Sequence, residues 1–346
     1  MQNPRVVTVA QLTDFDEIID VRSPAEYALD HIPGAINAPV LDDAQRAEIG
    51  TIYVQESSFI AKRLGAAIIA RNIAQHLETL FCDRPRNWKP LVYCWRGGQR
   101  SGAMSHIFAQ VGWSVGKLDG GYKSYRKLVR DDLDTLPEGL QFRVVCGPTG
   151  SGKSRFLHAL KAQGEQVLDL EGLARHRGSL LGNLPDEDQP AQKMFDSLIW
   201  HELHHFDPLR PIFVEAESKK IGLVSTPDAL LEKMRNSDCL LIEAPVAARV
   251  QLLMEDYQHF LSDPALLIKR LTPLLPLHGR QVLDHWRELT EQGEWAILVE
   301  KLLTEHYDPA YQRSTSNNFV HLHEAKVLPL ERLDKGALHS AVPLAL

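Results

Sequence analysis

The sequence predicts an α/β protein of two consecutive domains, each organised on a parallel sheet. Three observations carry this. Short apolar runs at residues 17–21, 90–94, 142–146, 212–216 and 239–244 alternate with longer stretches of helical spacing, the pattern of strands covered by crossover helices. A chain of 346 residues exceeds what one core usually organises. An acidic, turn-rich stretch at 131–139 precedes the strand that opens at Phe142. It reads as a linker and sets the domains at 1–136 and 137–346, the second with a helical C-terminal part.

Composition narrows the function classes. Hydrophobic residues make up 44% and charged residues 24%, ordinary for a soluble globular protein, and no unbroken apolar run is long enough for a bilayer. The first residues lack a signal-peptide core, so a cytoplasmic protein without membrane attachment is expected. The net charge of −7 falls on the second domain, the first being balanced, which argues against a generally basic nucleic-acid binder. Nucleic acid would have to meet a local patch, and Lys123, Arg126, Lys127 and Arg130 form the strongest one. The four cysteines include no Cys-x-x-Cys pair, so neither a disulfide framework nor a zinc site is expected. His201, His204 and His205 read as a helix-surface group, and no metal centre is expected.

In the first domain, 6–9 and 17–21 read as strands, and Ser23-Pro24-Ala25-Glu26 carries the cap, N1 proline and N3 glutamate of a helix start. A turn and strand at 31–37, a helix at 61–81 and a strand at 90–94 follow, the last ending on a thiol. The loop Cys94-Trp95-Arg96-Gly97-Gly98-Gln99-Arg100-Ser101 then enters a helix from about Gly102 to Val111. A cysteine at a strand's carboxyl end, facing a helix N-terminus and flanked by Arg96 and Arg100, is expected to ionise readily and to carry a sulfur or selenium atom. Cys146 and Cys239 lie inside apolar runs and read as buried, and Cys82 as an inert surface thiol.

In the second domain, residues 147–154 fit the P-loop pattern, with a strand before and a helix opening near Lys153. Gly147, Thr149, Gly150, Ser151 and Gly152 supply a concavity of backbone N–H groups. Lys153 adds a mobile charge, and Ser154 is placed for a magnesium ion or an anion oxygen. The motif specifies a phosphate, not which one. Two strand ends offer further polar groups: Asp169, Glu171, Arg175, His176 and Arg177 after one strand, and Glu215 and Glu217 on another. These are candidates for a Mg2+ carboxylate and for pyrophosphate cations. Residues 246–257, with Arg249, resemble the lid-side helix of small nucleotide kinases, and Trp286 and Trp295 read as packing residues. Residues 314–318 read as a polar turn, and 341–346 carry no pattern.

Asp20-Val21-Arg22-Ser23-Pro24-Ala25-Glu26-Tyr27, His31-Ile32-Pro33-Gly34-Ala35-Ile36-Asn37, the Cys94 loop and Leu118-Asp119-Gly120-Gly121-Tyr122 together resemble a rhodanese domain over about residues 5–130. Rhodanese loops usually place four residues between the cysteine and the arginine, and here there are five. The wider loop is expected to admit a phosphate-bearing donor such as selenophosphate.

These motifs combine with Gly50-Thr51-Ile52-Tyr53-Val54-Gln55, the P-loop, Asp169-Leu170-Glu171-Gly172 and Val214-Glu215-Ala216-Glu217-Ser218-Lys219-Lys220. The whole resembles the bacterial tRNA 2-selenouridine synthase family to about residue 315. The resemblance implies a rhodanese-like domain joined to a P-loop NTPase-like domain, and a transferase acting on the wobble uridine of tRNA. Such an enzyme would convert 2-thiouridine to 2-selenouridine through an S-geranylated intermediate, with geranyl diphosphate and selenophosphate as co-substrates. Under that implication the P-loop holds the diphosphate, Cys94 delivers selenium with Arg96 and Arg100 orienting the phosphate, and a selenophosphate-producing enzyme is a possible partner. The alternative is an ATP-dependent kinase or adenylyltransferase with a rhodanese sulfur-carrier domain.

Overall fold

The computed structural model describes residues 3–346, without the side chains of 314–317. The chain divides into two compact units. One comprises Met1–Asp132 together with Lys193–His201, the other Leu133–Gln192 together with Glu202–Leu346. Among the described residues no helix is long and apolar enough to cross a membrane.

The first unit holds five strands: β1 (Arg5–Val7), β2 (Glu17–Asp20), β3 (Ile36–Asn37), β4 (Pro90–Tyr93) and β5 (Gly116–Leu118). They form one parallel sheet in the order β1-β5-β4-β2-β3. Every residue of the central β4 is buried, as a strand covered on both faces requires. One side of the sheet packs an aromatic core in which Trp88 meets Phe81, Phe108 and Trp113. The helix Pro24–Leu29 begins as its sequence predicts, the Ser23 N–H donating to the Glu26 carboxylate at 3.3 Å.

Several expected boundaries move. The strand at 6–9 stops at Val7 and gives way to a 3-10 turn. The single helix at 61–81 becomes the second arm of a pair, Asp43–Gln55 and Ser58–Thr79, separated where Ser57 caps the second arm. The stretch at 131–139 is mostly ordered, closing the helix Gly121–Leu133 and forming a 3-10 turn at Leu136–Gly139. Lys193–His201 joins the first unit through buried polar contacts: Ser197 Oγ donates to Asp30 Oδ1 at 2.8 Å and Trp200 Nε1 to Asp132 Oδ2 at 2.8 Å.

The second unit contains β6 (Phe142–Cys146), β7 (Gln166–Leu168), β8 (Ile212–Glu215), the short hairpin β9 (Lys220–Ile221) and β10 (Val224–Ser225), then β11 (Asp238–Glu243) and β12 (Lys326–Pro329). Its parallel sheet runs β12-β11-β6-β8-β7. The chain fills one side of β6 with β7 and β8, then crosses to place β11 and β12 on the other. The carboxyl end of β6 is therefore a topological switch point, where such sheets bind ligands. The segment at 341–346 lies at the end of the helix Lys335–Ala345, whose Leu338, Ala341 and Val342 pack on the helix that follows β6. The turn expected at 314–318 is instead the end of the helix Asp308–Asn318. Trp286 is buried in a separate helical cluster with Leu271, Leu289 and Leu298.

Candidate functional site

Each unit carries a site at the carboxyl end of its central strand. In the first, Cys94 leaves β4 and is buried, with Sγ 3.2 Å from Ser101 Oγ. Burial pushes its thiol up. The Ser101 hydroxyl, the backbone N–H groups of Ser101 and Arg96, and the Arg100 charge outweigh that and hold it below the ordinary cysteine range. The loop can close so tightly because Gly121 faces it in the left-handed region: a Cβ there would lie 2.2 Å from the Cys94 carbonyl oxygen.

Behind the loop, Arg22 is wholly buried, paired to Asp20 at 2.5 Å and lying 4.0 Å from the Tyr122 ring centroid. The Tyr122 hydroxyl donates to Asp30 at 2.7 Å. Arg100 is brought to the thiol and anchored on Glu26, whereas the Arg96 side chain is exposed and only its backbone faces the sulfur. Ser101 was not among the residues expected to act. Its signal is its place in the first turn of the helix Gln99–Val111, where a hydroxyl can reach back to the preceding strand.

Of the basic patch, Lys123, Lys127 and Arg130 are exposed on the helix Gly121–Leu133. Arg126 is committed elsewhere, to the Asp196 carboxylate and, at 3.2 Å, to the Lys193 carbonyl.

The second site is a cleft of about 700 Å³ at the end of β6. Gly147 cannot be replaced without displacing Ser151, whose Oγ would lie 2.4 Å from an added Cβ, and Gly152 takes a left-handed conformation to start the helix Lys153–Ala162. Lys153 Nζ donates to the Gly147 carbonyl at 2.9 Å, and the Gly147 N–H donates to the Tyr311 hydroxyl at 2.7 Å. Arg249, buried, clamps the loop from outside by donating to the Thr149 carbonyl at 2.8 Å and to Asp308 at 2.6 Å.

The carboxylates form a linked row. Ser154 Oγ donates to Glu171 at 2.6 Å, the Glu171 N–H donates to Glu215 at 2.7 Å, and Asp169 caps the short helix Leu170–Ala174 while contacting His158 at 3.0 Å. Burial, then the charges of Glu171 and its neighbours, push Glu215 well above the carboxylate range. Glu217 is pushed up to about 8, by burial first and by Glu171 next. The second Glu215 oxygen, Oε2, is buried with no partner. Arg177 reaches the cleft with its guanidinium 4.7 Å from the Tyr257 ring centroid, and donates to the Asp256 carbonyl at 2.6 Å. His176 lines the cleft but is buried, and burial lowers its imidazole. Arg175 points to solvent and is not part of the lining.

An apolar slot with room for about two waters, near 60 Å³, opens from this cleft. Phe260, Trp295, Leu298 and Leu302 line it, and Thr149, Ser179, Leu253, Tyr257 and Tyr307 belong to both spaces. No periodicity in the sequence pointed to Tyr311, Tyr307 or this slot, because they come from helices more than a hundred residues beyond the loop.

The family profile described as tRNA 2-selenouridine synthase AAA domain matches residues 140–270, and that of the rhodanese-like domain matches 7–128. A tRNA 2-selenouridine synthase of Nitrosomonas europaea is 30% identical over 92% of this chain and 95% of its own length. One from Bdellovibrio bacteriovorus is 34% identical over 88% of this chain and 90% of its own. Among solved structures, a rhodanese-related protein from Thermoplasma volcanium matches 36% of this chain and 92% of its own at 20% identity, with a TM-score of 0.24.

Proposed function

The chain belongs to the tRNA 2-selenouridine synthase family, and from that premise we propose how its two sites divide the reaction. It is a tRNA-modifying transferase. In the proposed sequence the second unit attaches a geranyl group to the sulfur of wobble 2-thiouridine. At the Cys94 site selenium from selenophosphate then bonds to C2 as the alkylated sulfur leaves as geranyl thiolate, and hydrolysis of the selenium–phosphorus bond releases phosphate.

The observation that carries this reading is the continuity of a phosphate cradle with an apolar slot through Thr149, Ser179, Leu253, Tyr257 and Tyr307. That combination suits a diphosphate with a hydrocarbon tail. A nucleotide would leave a polar base and ribose against Leu298 and Leu302, which disfavours the kinase alternative. The slot is smaller than a ten-carbon chain, so seating one requires the helices Val246–Asp256 and Trp295–Lys301 around it to part. The loop N–H groups, Lys153 and Arg177 would take up the charge that grows on the diphosphate as the carbon–oxygen bond breaks.

A magnesium ion fits the pairing of Ser154 with Glu171 and the unpartnered Glu215 oxygen beside them, and those residues would hold it. It would supply charge neutralisation to the leaving diphosphate. In the first unit, the Cys94 thiolate, with Ser101 and Arg100 around it, forms an anion-stabilising pocket suited to selenophosphate. The exposed face of Lys123, Lys127 and Arg130 would meet tRNA phosphates, and a selenophosphate-producing enzyme would supply the donor. We place the enzyme in the cytoplasm with its tRNA.

The test is mass spectrometry of wobble nucleosides after incubation with 2-thiouridine tRNA, geranyl diphosphate and selenophosphate. Wild type is expected to yield 2-selenouridine, Cys94→Ala to stop at the geranylated nucleoside, and Lys153→Ala to leave 2-thiouridine. Unchanged nucleosides with ATP consumed would return the kinase alternative to first place.

A further inference from the structure

His306 lines the cleft next to Tyr307, which belongs to both cleft and slot, with His278 behind it, and neither the P-loop nor the Cys94 chemistry uses this pair. The turn Leu302–Tyr307 is a π-helix, a local widening often found at functional sites. It sends Leu303 and Tyr307 to the apolar slot and His306 to the lining of the cleft. Nδ1 of His306 lies 3.0 Å from Nε2 of His278, and among the described residues Nε2 of His306 has no hydrogen-bond partner. The His278 ring is itself fixed, 5.1 Å from Trp286, a residue wholly buried in the helical core.

Alkylating a 2-thiouridine at sulfur demands something the phosphate cradle cannot supply. The sulfur–carbon bond forms, the carbon–oxygen bond breaks, and its electron pair leaves on the diphosphate. The base then carries a positive charge unless N3–H loses its proton, the N–H pair becoming the C2=N3 bond. We propose that His306 is the general base of the alkyl transfer, taking the N3 proton on Nε2, and that His278 is a positioning residue that holds the Nδ1–H of the resulting imidazolium. This rests on the geranyl-transfer reading above. The placement suits the step: with the diphosphate in the cleft and the hydrocarbon in the slot, the reacting carbon lies near Tyr307, shared by both, and His306 is the next residue on the cleft wall.

The surroundings agree. Burial first, and then the Arg313 charge among its neighbours, keep the His306 imidazole below its usual range, so it holds its lone pair at neutral pH. The other groups on adjoining turns are occupied among themselves: Lys301 pairs with Glu305, and Asp308 with Arg249. The Tyr307 hydroxyl is pushed upward by burial and stays neutral.

The test follows geranyl transfer to 2-thiouridine tRNA between pH 6 and 9 under single-turnover conditions, for wild type, His306→Gln and His278→Phe, with geranyl diphosphate binding measured by calorimetry. Wild type is expected to be nearly flat above pH 7. His306→Gln should bind geranyl diphosphate as wild type does, react about 100-fold more slowly at pH 7, and regain about tenfold per pH unit as N3–H ionises unaided. His278→Phe, which keeps the ring against Trp286, should lower the rate constant about tenfold with binding unchanged. A His306→Gln variant as fast as wild type, or one slowed by the same factor at every pH with intact binding, overturns the assignment. If wild type forms no geranylated nucleoside while binding tRNA, the proposed function fails and this inference with it.

Discussion

Nη1 of Arg100 donates to Oε2 of Glu26 at 2.7 Å, so the arginine closing the thiol loop is held by the residue that caps a helix on another part of the same sheet. Two opposite effects follow for Cys94. Arg100→Met removes a charge that favours the thiolate, and Ser101→Ala removes a hydrogen bond to it. Each should raise the thiol pKa and slow alkylation by iodoacetamide at pH 7 roughly tenfold. Glu26→Gln keeps the geometry but leaves the arginine uncompensated, and should move the thiol pKa down. Absorbance at the thiolate band against pH reads all three.

Glu217 gives the second unit a pH dependence with a defined sign. Its folded pKa of about 8 lies above the 4.5 of an ordinary glutamate, so its contribution to stability is fully present below 4.5 and is lost as pH rises through 8. Thermal unfolding midpoints of the wild type should therefore fall between pH 5 and 8.5, and those of Glu217→Gln should fall less. Affinity for a diphosphate should also weaken above pH 8 by up to about tenfold per unit in wild type, as the carboxylate ionises beside the anion, and stay level in the variant.

Arg249 is a buried charge serving two partners, the Thr149 carbonyl and Asp308. Arg249→Leu strands a carboxylate and frees the phosphate loop. Urea unfolding of the second unit should show a loss of about 3 kcal/mol, with the KM for geranyl diphosphate raised. Asp308→Asn, which can still accept from the guanidinium, should cost less than half as much.

The four basic positions on the helix Gly121–Leu133 should separate into two classes. Replacing Lys123, Lys127 and Arg130 by alanine should weaken tRNA binding and reduce the slope of log affinity against log salt by about two to three, with stability unchanged. Arg126→Ala should leave the slope alone and lower the melting temperature of the first unit, because the ion pair with Asp196 is lost.

What the sequence made legible was chemistry that needs neighbours along the chain. The glycines of 147–152 and the run from Cys94 to Ser101 are dictated by local backbone geometry, so their spacing reads directly. The alternation of apolar strands with helices gave the two parallel sheets for the same reason. Tyr311, His278, His306 and Glu26 reach their sites from helices distant in sequence, and nothing in a tyrosine or histidine by itself distinguishes a core position from a cleft wall. The end of the helix Asp308–Asn318 reads as a turn in the sequence because serine and asparagine have low helix propensity. Lys193–His201 carries no mark of joining the first unit, since the attachment is made by scattered contacts to distant residues: Ser197 on Asp30, Trp200 on Asp132 and Asp196 on Arg126.

That attachment governs how the protein is made. A ribosome that has finished the first 136 residues has not yet produced Ser197 or Trp200, so Asp30 has the Tyr122 hydroxyl but not yet that of Ser197. At roughly 5–20 residues per second the wait lasts several seconds, during which the nascent first unit shows an unfinished face to chaperones. An expression fragment ending near residue 136 lacks both contacts, and grafting 193–201 back onto it should raise its melting temperature and its solubility.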